Sequence, residues 1–159
     1  MFLVLLLIVV VAVVSAVGLT GHGASVLAAS RARGTGAGPA LRALAAFAGA
    51  AAVAMYAWGL LHVTGAVMES DGGAGSAPAP PCRTPGNEER ALHVIDQSVS
   101  FLPLGFVCET TGGEYTSDDV PGYVNPATAA LALTAVAGAV GAGYASGARA
   151  RATARGGGG

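Results

Sequence analysis

The chain contains no lysine, and charged side chains make up only 11% of its 159 residues, against about 25% in an ordinary soluble domain. Eight arginines and nine carboxylates leave a net charge of −1, so no overall basic charge exists to recruit nucleic acid. Cysteine is equally scarce. Cys82 and Cys108 are the only two, and their separation is far from the Cys-x-x-Cys spacing that activates a redox thiolate. No two histidines stand at i, i+4, and no Cys/His cluster has zinc spacing. Gly-x-Ser-x-Gly is missing, which removes the usual signature of a hydrolase nucleophile elbow. Gly34-Thr35-Gly36-Ala37-Gly38 is followed by Pro39 and closed by no Gly-Lys pair, so it reads as a short flexible connection and not as a phosphate cradle. No catalytic residue, metal site or cofactor is expected.

What the chain has in quantity is apolar sequence, 53% of it. Phe2 to Leu19 carries no charge and at about 27 Å as a helix is just long enough to cross hydrocarbon. Ala43 to Met68 is a second uncharged run, of 26 residues, able to cross with some tilt. Pro126 to Ala148 is a third, opened by Asn125 as a cap and Pro126 at the first helical position. Backbone polar groups in lipid must be satisfied within the segment, so all three are expected to be helices. Val14-Ser15-Ala16 is a possible signal-peptide cleavage site. The basic stretch that normally opens a signal peptide is missing, and this favours an anchor.

Charge is segregated along the chain. Every Asp and Glu lies between Glu69 and Asp119, whereas Arg31, Arg33, Arg42, Arg149, Arg151 and Arg155 lie outside that window. Arginine-rich segments stay cytoplasmic, so those six are read as topology anchors. The expected arrangement is a transmembrane helix over 1–20, a cytoplasmic connection over 21–42, a second helix over 43–68, an extracytoplasmic loop over 69–124, a third helix over 125–148 and a disordered cytoplasmic tail over 149–159. The N-terminus is then outside and the C-terminus inside the cell membrane. Both cysteines fall in the outer loop, where an even pair usually forms a disulfide. Closing that loop of about 27 residues is worth about 3.5 kcal/mol in the chain-entropy model.

Within the loop, residues 70–86 are Gly-, Ala-, Ser- and Pro-rich and read as a linker. Leu92 to Leu102, Leu104 to Thr110 and Glu114 to Thr116 read as two or three short antiparallel strands, with a turn at Gly112-Gly113 and a bend or bulge around Pro103. Such a sheet is marginal alone and needs the disulfide, the membrane surface or the helix ends. Tyr123 stands where an interfacial aromatic anchor belongs.

Small residues at steps of four, Ala46, Ala50 and Ala54 in the second run and Ala139, Gly143 and Gly147 in the third, point to close packing of these two helices or to a partner or homo-oligomer through them. An Ala- and Gly-rich composition also produces such spacings by chance. His62 is an ionisable side chain inside a span, which is a functional hypothesis by default. Tyr56 and Trp58 beside it fit an interfacial or packing role, and no span core holds an acid or arginine.

Pro103-Leu104-Gly105-Phe106-Val107-Cys108-Glu109 and Pro121-Gly122-Tyr123-Val124-Asn125-Pro126 resemble segments of small uncharacterised integral membrane proteins of actinobacteria. The resemblance implies an exported loop that runs into a helix, and it implies no activity. The expected fold is therefore an all-α membrane protein, with three transmembrane helices and a small disulfide-stapled extracytoplasmic β-hairpin loop. The expected function is that of a non-enzymatic accessory or interaction protein with the lipid bilayer as its surroundings. A small transporter or channel component is the alternative, and a membrane-bound redox or metal-dependent enzyme is a more distant one.

Overall fold

The computed structural model describes residues 2–33, 37–72 and 80–156. Three long helices dominate: α1 (Phe2–Arg33), α2 (Ala37–Gly72) and α4 (Val124–Gly156). Between α2 and α4 lie a 3-10 turn (Pro80–Cys82), the short α3 (Glu88–Ala91) and the strands β1 (Val94–Phe101), β2 (Leu104–Thr110) and β3 (Gly113–Thr116). Among the described residues, α1, α2 and α4 are the helices long and apolar enough to cross a membrane. Only 11% of the most apolar stretch of α1, 39% of that of α2 and 11% of that of α4 is buried within the chain. Most of their apolar surface therefore has no protein cover.

The helices run further than the charge-free spans. Residues 21–33 and 37–42, expected as a connection, are helical. So are residues 149–156, expected as a disordered tail. The reason is propensity: Ala148 to Arg155 is alanine and arginine relieved only by Thr153, and Ala and Arg are among the best helix formers. Pro39 does not interrupt α2 because it falls in the first turn, where its missing N–H is no loss. The remainder of the connection (34–36), the middle of the linker (73–79) and the last residues of the tail (157–159) lie outside the described residues.

The chain divides into two compact units. The first comprises residues 1–12 and 55–126. Its sheet is antiparallel in the order β1-β2-β3. Phe101 pairs with Leu104 across a two-residue turn at Leu102-Pro103, and Cys108 pairs with Gln97 on one side and Tyr115 on the other. The bend expected near Pro103 is that turn, while the shift in register falls earlier, between Val94 and Asp96. Side chains alternate across a strand, so Leu104, Phe106 and Cys108 share one face, and all three are buried. They pack with Leu5 of α1 and with Leu60 and Val63 of α2. Phe106 is the largest fully buried side chain, a position where truncation to Ala typically costs about 3–5 kcal/mol.

The second unit comprises residues 13–54 and 127–159. It is built on close approach of small residues. A Cβ added at Gly23 would lie 3.2 Å from Ala46 and Phe47, and one at Gly138 would lie 3.2 Å from Ala45 Cβ and the Leu41 carbonyl. Ala43, Ala46, Ala50 and Ala142 are buried. The small-residue row expected on the last helix is not the one in contact. Ala139 is exposed, and Gly143 and Gly147 have open space where a side chain would be. The contacting row is Gly138 and Ala142, one residue earlier and so rotated by about 100° around the helix. On α2, Ala46 and Ala50 are buried, but Ala54 is exposed.

Several hydroxyl groups along the long helices are satisfied by their own backbone, whereas the buried Thr128 hydroxyl of α4 has no hydrogen-bond partner among the described residues. Thr20 donates to the Ala16 carbonyl, Thr64 to Leu60 and Thr134 to Ala130, at 2.7–2.8 Å. This i−4 bonding lets a hydroxyl sit in an apolar medium without an external partner.

Candidate functional site

The disulfide-stapled sheet and the helix ends that hold it form the candidate site. Cys82, on the 3-10 turn, is joined to Cys108 of β2 with 6.0 Å between the Cα atoms, and both residues are fully buried. Register places Tyr115 opposite Cys108, and from there the Tyr115 hydroxyl donates to the Cys82 carbonyl at 2.8 Å. The two strands that flank the staple are thus tied to it twice, once covalently and once by a buried hydrogen bond. Burial pushes the Tyr115 phenol above its ordinary value, and the Arg90 guanidinium, 4.9 Å from the ring centroid, offsets part of that. Arg90 also donates to the Glu114 carbonyl at 3.3 Å. The Glu88 carboxylate is held below the usual carboxylate range by its own backbone N–H and then by the Gly86 N–H, which it accepts at 3.0 Å.

The sheet is fixed to the long helices at its hairpin turn. Tyr56 of α2 donates to the Phe101 carbonyl at 2.9 Å. Asn125 of α4 accepts the Leu104 N–H at 2.9 Å through Oδ1 and donates to the Leu104 carbonyl at 3.0 Å through Nδ2. The side chain expected to cap the third helix therefore clamps a strand instead, and Val124 N–H finds the Pro121 carbonyl at 2.9 Å. Gly59 makes room for this junction. A Cβ there would lie 2.6 Å from Leu104 Cδ2 and 2.8 Å from Val124 Cγ1. Around the turn the surface is apolar: Leu102 is 90% exposed, and Phe101, Trp58, Leu61 and Tyr123 are also exposed.

His62 stacks edge-on against Trp58, with ring centroids 5.0 Å apart. Together with Glu69 and Asp119 the pair lines an open cavity of about 300 Å³. Asp119 accepts a hydrogen bond from Ser117 at 2.5 Å. Among the described residues no three His, Cys, Asp or Glu side chains come together to hold a metal.

The sequence-derived arginines lie in the second unit. Arg42 donates to Ser146 Oγ at 2.9 Å, and an Arg149 nitrogen sits 3.9 Å from where a Gly38 Cβ would be. Arg31, Arg151 and Arg155 are exposed. Only the backbone of Arg33 belongs to the described residues. The cysteine pair is legible in the sequence; Tyr56 and Asn125 are singled out there in other roles, as an interfacial or packing group and as a helix cap, and Gly59 and Tyr115 are given no such role. The turn expected at Gly112-Gly113 falls at Thr111-Gly112, with Gly113 paired to Thr110 in the strand, and this shift of one residue is what sets Tyr115 opposite Cys108.

No protein-family model matches the chain, and no curated protein or solved structure is similar to it.

Proposed function

We propose that the chain is a three-span integral membrane protein whose non-enzymatic role is to present the stapled, acidic sheet outside the cell and to offer it to a partner. The observation that carries this reading is the coincidence of charge with compact structure. All nine carboxylate side chains and both cysteines belong to the first unit, which holds only Arg83 and Arg90 as cations. The second unit holds the other six arginines and no Asp or Glu. Retention of arginine on the cytoplasmic side then puts the sheet outside, where a disulfide persists. Glu88, Glu89, Asp96 and Asp118 are exposed on it, so the chemistry it offers suits a basic segment of another protein. Crosslinking in the native membrane followed by purification tests the role. A defined partner, released when Glu88, Glu89, Asp96 and Asp118 are replaced by their amides, is the expected result. Recovery of the chain alone rejects it.

The cavity beside His62, Glu69 and Asp119 favours a second reading, a small transporter or channel component. Flux into liposomes that His62→Ala abolishes would support that reading over the first.

A further inference from the structure

We infer that the second unit holds one anionic phospholipid, its phosphate at Arg42 and an acyl chain in the groove that runs inward from there. The inference rests on the membrane reading above. The groove has a volume of about 590 Å³, within the range of ligand-sized clefts. Leu19 and His22 of α1, Arg42 and Gly49 of α2, and Ala135 and Ala139 of α4 contribute to its lining. Its polarity is graded along its length. Arg42 marks one level, and His22, whose neighbour Gly23 faces Ala46 and Phe47, stands further along the groove. Gly49, seven residues further along α2 and so about 10 Å away, marks the other. There a Cβ would touch Leu19 Cδ1 at 3.6 Å and Ala135 Cβ at 3.8 Å, so the groove narrows among apolar groups. A cationic mouth and an apolar interior match a lipid with a charged headgroup, and neither a free anion nor an uncharged chain satisfies both ends.

Charge balance chooses the headgroup. Arg42 shares its unit with five other arginines and no Asp or Glu side chain, so no carboxylate side chain of the unit competes with an anionic headgroup for this exposed guanidinium. The guanidinium has five N–H donors in a fixed fork suited to phosphate oxygens. Ser146 takes one of them and holds the group in place, donating in turn to the Ala142 carbonyl at 2.7 Å. Basic pockets between membrane helices on the cytoplasmic side are favourable sites for anionic headgroups.

The test uses the full chain in mild detergent. Phosphatidylglycerol, phosphatidylcholine or inorganic phosphate is added, bound lipid is counted by native mass spectrometry and the melting temperature is followed. The expected result is one retained phosphatidylglycerol per chain with a raised melting temperature, weaker retention of phosphatidylcholine and no effect of inorganic phosphate. Arg42→Gln is expected to weaken phosphatidylglycerol binding about tenfold or more, and Ala139→Leu, which fills the groove and leaves Arg42 intact, to weaken it as well. Arg155→Gln, at the far end of α4, is expected to leave it unchanged. Equal retention of the two lipids by the unaltered chain overturns the inference whether or not the variants fold. So does equal loss in Arg42→Gln and Arg155→Gln. A dimer that Gly143→Ile abolishes, with lipid retention unaffected by Ala139→Leu, assigns the groove to a second copy and overturns it too. Alkaline carbonate extraction of membranes separates the two levels: release of the chain removes the membrane reading itself, whereas a chain that stays in the membrane but fails the lipid comparison removes only this inference.

Discussion

Tyr115 shows how much one side chain does in the stapled sheet. Its hydroxyl bonds the carbonyl of a half-cystine, its ring lies under Arg90, and its backbone pairs with the other half-cystine. Tyr115→Phe leaves the buried Cys82 carbonyl without that donor and is expected to cost about 1–3 kcal/mol, read from denaturant midpoints. The pH dependence has a definite sign. Burial raises the phenol's pKa in the folded protein, so its contribution is present in full below the unfolded value of about 10 and is lost as pH rises through the folded value. The melting temperature of the native chain should therefore fall more between about pH 9 and about pH 11 than that of Tyr115→Phe. Equal slopes would reject this account. Asn125 teaches the opposite lesson about legibility. Asn before Pro reads as a helix cap because local capping is a common fate for that side chain. Here a strand twenty-one residues earlier takes it, and no local rule announces a partner so distant in sequence.

At the scale of elements, Gly59 and Gly65 form a natural pair of opposites on α2. A Cβ at Gly59 would collide with Leu104 and Val124, whereas one at Gly65 meets nothing within 4 Å. Gly59→Ala is expected to destabilise the fold by about 1–3 kcal/mol through overpacking. Gly65→Ala should be neutral or stabilising by up to about 1 kcal/mol, because it gains helix propensity without a clash. Thermal melts of the two variants side by side check both signs. The strands were legible because alternation at Leu104, Phe106 and Cys108 and the flanking turn residues act locally. The helix ends were not, because the absence of charge marks what tolerates hydrocarbon and says nothing of where hydrogen bonding stops. Ala148 to Arg155 is charged and still a good helix. On α4, Gly143 and Gly147 have the right spacing, yet the close approach to α2 is at Gly138, because spacing alone does not say which side of a uniformly small helix meets its neighbour.

For the whole molecule, sidedness is the decisive quantity. With the buried disulfide intact, a cysteine introduced at an exposed loop position by Asp118→Cys is expected to be labelled by a membrane-impermeant thiol reagent on intact cells and to escape it in inverted vesicles. The reverse pattern would place the acidic sheet inside. Replacing both cysteines by Ser is expected to lower stability by about 3.5 kcal/mol in the chain-entropy model, measured as the denaturant midpoint in detergent. The three long helices were legible at this scale because length and apolar composition act over whole segments, whereas a partner imposes only a few contacts that leave no period or motif. The Asn125 clamp also bears on biosynthesis. The hairpin turn it grips is made first, and Leu104 must wait for Asn125 to leave the ribosome and for the last helix to be started behind it. A chain stopped after Gly122 would carry a sheet whose turn is still open on that side, so completion of the first unit is coupled to arrival of the last helix.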